Sequence, residues 1–148
     1  MDELLHDANG LWTADLTVGS TALDQANCAM FSLLASAESR VAAATGPELA
    51  AWLSAVVDRF DGLLRAEEAE LATIGYPELA FHRQLHDHAR GCIQAARNRL
   101  ARQPHAVMLE QLTRDTCTEL AVWLLRHVQD ADQLFFPYID ARFRRCGS

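Results

Sequence analysis

No stretch of the chain approaches the roughly 20 apolar residues needed to span a bilayer, so no transmembrane helix is expected. The opening residues, Met1 to Asp7, are acidic and carry neither a basic leader nor a long apolar core. No signal peptide is visible in them, and a cytoplasmic protein without a membrane partner is the expectation. Glycine and proline are scarce, 7 and 4 in 148 residues, and β-branched residues rarely cluster; both shortages work against sheets and low-complexity linkers. The four cysteines, Cys28, Cys92, Cys117 and Cys146, are far apart with no C-x-x-C pair. That spacing excludes a zinc finger, and a disulfide scaffold does not suit a chain this long. Basic charge is also short: 13 Lys and Arg against 20 Asp and Glu leave a net −7. The one basic cluster, Arg142, Arg144 and Arg145, reads as a solvated helix end. Phosphate binding needs a basic face, so nucleic acid is not an expected partner.

What remains is a composition half apolar, rich in Ala, Leu, Glu, Gln and Arg, which favours helix. Residues 1–148 read as one all-α domain. An irregular N-terminal arm, 1–20, contains Trp12 and gives way to a helix near Ser20-Thr21. Leu23, Asn27, Met30, Leu34, Ala37 and Val41 then share one helical stripe to about Ala44. Thr45-Gly46-Pro47 breaks it. The second helix, Pro47 to Ile74, has Leu53, Val56, Phe60, Leu63 or Leu64, Glu67 and Leu71 on its stripe. Gly75-Tyr76-Pro77 is a tight corner: glycine ends one helix in a left-handed conformation and proline suits the first turn of the next. The third helix, Pro77 to Gln103, carries Leu79, His82, His86, Ala89, Ile93, Ala96 and Leu100. The fourth, Ala106 to Ala131, carries Leu109, Leu112, Thr116, Leu120, Trp123 and His127. These four helices, within 21–131, predict an up-down-up-down four-helix bundle, followed in 132–148 by a short C-terminal helix that Pro137 kinks or restarts.

The bundle puts polar groups inside. Glu67, His82, His86 and His127 all lie on core stripes, and Asp132, five residues past His127, can turn to the same level. One buried histidine is usually a hydrogen-bonded core residue. Three on adjoining inner faces beside a buried carboxylate are costly to bury unless something compensates them. A divalent metal would neutralise the two carboxylates and take the three imidazoles; the plainer reading is a hydrogen-bonded polar layer without metal.

On these residues the sequence resembles the hemerythrins, in particular the bacterial hemerythrin-like domains. Trp12 and Val18-Gly19 are similar to that family's N-terminal arm and Leu23-Asp24 to its first-helix entry. Glu67-Glu68, Gly75-Tyr76-Pro77, His82 and His86 resemble its central motif, and Trp123-Leu124, His127 and Asp132 its last. The resemblance implies two irons that bind dioxygen reversibly between them. One iron would take His82, His86 and His127, with Glu67 and Asp132 as bridges. The second would take a histidine from each of the first two helices, where this chain has Asn27 and Leu63. Leucine ligates nothing and an amide oxygen is a weak iron ligand.

With the second set of terminal ligands gone, a mononuclear site is expected: His82, His86, His127 and one or both carboxylates. Three imidazoles with carboxylate suit iron, zinc, manganese or cobalt; the affinity order favours zinc, the resemblance iron, and iron is placed first. Reversible dioxygen binding draws an electron from each of two irons, so binding of a small diatomic such as nitric oxide, or iron sensing, fits one iron better. The expectation is a binding or sensing module, not an enzyme. His82-x-x-x-His86 has the spacing of a zinc-protease helix, but Arg83 stands where that motif needs its glutamate. No Glu-x-x-His precedes His82, His86 or His127, as a ferritin-like oxidase would require. The competing class is a metal-free or haem-binding regulatory module on the same scaffold. A homodimer, a fused output domain or a partner protein is left open. His88 and His105 read as solvated and His6 is given no role. Cys28 reads as a small core residue with a redox role as the sharper option. Trp123 is expected beside the site. Phe135, Phe136 and Tyr138 are expected to pack the terminal segment or to form an exposed patch.

Overall fold

The computed structural model describes residue 16, residues 18–135 and residues 137–139. His6, Trp12, Phe136, the Arg142–Arg145 cluster, Cys146 and the side chain of Phe135 lie outside the described residues. Every described element is helical: α1 (Thr21–Ala35), α2 (Ala37–Ala43), α3 (Gly46–Thr73), α4 (Leu79–Ala101), α5 (Ala106–Asp130) and a 3-10 turn (Asp132–Phe135). No described helix is long and apolar enough to cross a membrane.

Ser20 opens α1, its Oγ accepting from the Leu23 amide, while Asp24 Oδ1 accepts from Val18 N at 2.7 Å. The first helix is not continuous to Ala44. Ser36 interrupts it, because its hydroxyl donates to the Leu33 carbonyl at 2.6 Å and its own amide bonds the same carbonyl. Short polar side chains compete with the helical ladder in this way. α3 starts on a capping box in which Thr45 Oγ1 takes the Glu48 amide and Glu48 takes the Thr45 amide, with Pro47 in the first turn.

The corner between α3 and α4 is a Schellman ending. Gly75, at φ +71°, donates to the Ala72 carbonyl at 3.2 Å and Tyr76 to the Leu71 carbonyl at 3.0 Å. Pro77 is not the first residue of the next helix. A turn from Tyr76 to Leu79 comes first, and the His82 amide makes the first α-helical bond, to Glu78. A Cβ on Gly75 would meet nothing within 4 Å, so alanine there costs only the left-handed backbone. That penalty is about 1–2 kcal/mol. Gly75→Ala is expected to lower Tm by about 2–8 °C in a thermal melt followed by circular dichroism.

Ion pairs fix the direction of packing. On α4 His82, His86, Arg90 and Arg97 meet, in that order, Glu67, Glu68, Glu68 and Asp58 of α3, so the helices run antiparallel. His86 meets His127 and His88 meets Glu119, so α4 and α5 are antiparallel as well. Glu38 on α2 pairs with Arg114 near the start of α5 at 2.8 Å, and α1 packs against the same helix. Leu34, Leu53, Phe60, Leu64, Leu71, Ile93, Leu120 and Leu124 fill the space between, all fully buried. At one end of this apolar column the inward positions turn polar.

Candidate metal centre

Each polar position is held by a helix end. Glu67 lies near the close of α3, His82 and His86 in the first turns of α4, His127 in the last turn of α5, and Asp132 opens the 3-10 turn behind it. All five are buried; His86 and Asp132 have no exposure at all. The structure therefore brings together the five residues that the sequence singled out. Glu67 Oε1 lies 2.5 Å from His82 Nε2, 3.2 Å from His86 Nε2 and 3.3 Å from His127 Nε2. His127 Nε2 is 3.1 Å from His86 Nε2 and 3.2 Å from His82 Nε2. Asp132 Oδ1 is 2.7 Å from His127 Nε2 and 3.1 Å from His82 Nε2.

These are short approaches for hydrogen bonding alone. A neutral imidazole has one N–H, and two facing Nε2 atoms can share only one proton. Asp132 is more telling: both its oxygens are fully buried, and neither is angled to accept a hydrogen bond despite the 2.7 Å approach to His127. A buried, unsatisfied carboxylate is costly. A metal would relieve both features. Ligand bonds of about 2.1 Å place neighbouring donor atoms about 3.0 Å apart in an octahedron and about 3.4 Å in a tetrahedron. The separations of 3.1–3.3 Å sit in that range, the Glu67–His82 and Asp132–His127 approaches are closer, and Glu67, His82, His86 and His127 form a buried group able to hold an ion.

Protonation answers to the same geometry. Burial pushes the Glu67 carboxyl up, but the hydrogen bonds from His127, His82 and His86 outweigh it and hold it well below the ordinary value. Burial and the neighbouring Glu67 charge raise Asp132. Burial would lower the two histidines, yet the carboxylates of Asp132 and Glu67 beside them raise His82 to about 8 and His127 to about 9. In the unfolded chain both titrate near 6.5. A group whose pKa is higher when folded stabilises fully below its unfolded pKa and loses that contribution above its folded one. Chelator-treated protein is thus expected to unfold at lower urea on going from pH 6 to pH 9.5, with the loss falling between about 6.5 and 9. Urea midpoints across that range check it.

Trp123 flanks the cluster as expected, stacked on His127 at 4.4 Å with 13° between planes and edge-on to His86 at 5.9 Å. Tyr76, in the corner, meets His82 edge-on at 6.3 Å, and Tyr138 packs on Tyr76. Behind Trp123 and His127 runs a groove of about 740 Å³ between α4 and α5, walled by Phe81, Leu85, Val122 and Leu134. His88 is exposed, as is His105. Cys28 is exposed too, which corrects its reading as a core residue: it sits one residue round the helix from the inward stripe.

The positions where two further histidines would be needed are also inside. Leu63 is buried one turn before Glu67 on the same face of α3. Asn27 is buried, and neither atom of its amide has a hydrogen-bond partner.

The hemerythrin HHE cation binding domain matches residues 18–139, which takes in every element from α1 to the 3-10 turn. The chain belongs to the hemerythrin family. No curated protein and no solved structure matches it. Hemerythrin domains usually bind iron, and here the buried glutamate and three histidines form a group that could hold a metal.

One residue beside the site, Glu68, is named in the central motif but given no role. Glu68 Oε1 lies 2.8 Å from His86 Nδ1, on the far side of the ring from the cluster. The available signal was its place beside Glu67: the next residue on a helix points about 100° away, toward the facing helix rather than the centre.

Proposed function

We propose that this hemerythrin holds a single metal ion through His82, His86, His127, Glu67 and Asp132, iron ahead of zinc, and serves to bind or sense a small ligand rather than to catalyse a reaction. One observation carries it: among the described residues, donors converge at one point. The side chain at Leu63, where a second ion would need an imidazole, has no donor atom. Two carboxylates with three neutral imidazoles balance one divalent charge, and five protein donors leave a sixth octahedral position for an outside molecule. When bound, iron would supply an open coordination position that takes dioxygen or nitric oxide. The chain's own part is to orient and to shield. Trp123 lies flat on His127 and limits water, while the apolar groove behind it gives a small uncharged molecule a path of low cost.

A haem reading has less support. A porphyrin needs a planar slot beside one imidazole, whereas these three rings have centroids 4.8 Å apart and face each other. The absorption spectrum of protein purified without added metal separates the cases. Weak near-ultraviolet charge transfer marks iron, a featureless spectrum with bound metal marks zinc, and a Soret band would overturn the reading in favour of haem.

A further inference from the structure

We propose that Glu68 is the positioning residue of this centre: it accepts a hydrogen bond from His86 Nδ1–H and so turns the bare Nε2 of that ring toward the metal position. The proposal rests on the metal reading above and extends it to a residue outside the donor set. A neutral imidazole offers one lone pair, and which nitrogen carries it is decided by what the other nitrogen meets. His86 Nε2 faces the cluster, 3.2 Å from Glu67 Oε1 and 3.1 Å from His127 Nε2. Its Nδ1 faces Glu68 Oε1 at 2.8 Å. An ionised carboxylate only accepts, so Nδ1 must be the donor, and Nε2 keeps its pair free for metal.

Glu68 is itself held in place. Arg90 NH1 reaches the same Oε1 at 2.8 Å, and Arg83 Nε lies 4.0 Å from Oε2. The helices explain the alignment: His86 and Arg90 are one turn apart on α4, so they share a face and bracket the carboxylate that α3 offers. Desolvation raises the Glu68 carboxyl, but the bonds from Arg90 and His86 outweigh it and lower it, which favours the charged form. An exposed Arg–Glu pair alone contributes little, about 0–1 kcal/mol. What sets this one apart is the fully buried imidazole on its inner side.

The test uses cobalt(II) as probe, titrated into chelator-treated full-length protein. Visible absorption reports affinity, and proton NMR reports exchangeable imidazole N–H signals shifted by the paramagnetic ion. Glu68→Ala is expected to bind cobalt about 10–100-fold more weakly. It should also lose one shifted N–H signal to solvent exchange. Glu68→Gln keeps an oxygen that accepts, so it should recover that signal and most of the affinity. Far-ultraviolet circular dichroism checks that both variants keep the wild-type helix content. Wild-type affinity with an intact signal in Glu68→Ala would overturn the proposal, as would Glu68→Gln behaving like Glu68→Ala. If the wild-type protein takes up no cobalt at all, the metal reading itself falls and this proposal with it.

Discussion

His127→Ala is expected to remove metal binding while leaving the helices in place. His127 Nε2 is the most connected atom of the cluster, within 3.3 Å of a donor on each of His82, His86, Glu67 and Asp132. Its removal takes away one of three imidazoles and leaves two carboxylates with fewer partners in a buried space. Loss of an outer-shell partner alone costs about 10–100-fold in affinity; loss of a donor should exceed that. Competition with a chromophoric chelator measures it. Trp123, freed from its stack on the imidazole, should change its fluorescence in the same variant. Metal retained at the wild-type level would refute the donor set.

The second large effect is a gain. The double substitution Asn27→His with Leu63→His is expected to raise the metal content from one ion per chain to two. Leu63 stands one turn before Glu67 on the same face of α3 and Asn27 is buried on α1, so imidazoles at both positions are expected to approach the cluster. The second oxygen of Asp132 is buried and without a partner, available to a second ion. The exchange has a cost without metal. Burying a leucine side chain is worth roughly 1.5–3 kcal/mol, and a histidine in its place loses much of that. The variant should therefore melt below wild type when stripped and regain stability on loading, since a ligand bound only by the folded state stabilises it. Metal analysis that stays at one ion per chain would show that those positions do not complete a second site.

Much of this was legible in the sequence because the signal is periodic. Inward residues recur at helical spacing over four long segments, and Glu67, His82, His86 and His127 fall on those stripes at positions the structure buries. Gly75 marks the corner through a backbone requirement that needs no tertiary information. Pro77 does not, because the turn before α4 depends on where Tyr76 packs. The break at Ser36 was also hidden: one serine hydroxyl bonding back three residues decides it, and a serine in a helix reads the same whether or not it does so. Cys28 was placed inside by its neighbour Asn27, yet a single step along a helix is enough to face solvent. Glu68, named in the motif, was given no role for the opposite reason. Off its own stripe it looks like a surface charge, and only the arrival of α4 turns it into a partner for His86.

The proposed function requires one centre built for one ion. Elemental analysis of protein purified without added metal, set against an accurate protein concentration, tests this most directly. One ion per chain, iron before zinc, is the predicted result, with none retained in His127→Ala. Two tightly held ions in the wild-type chain, or none, would contradict it.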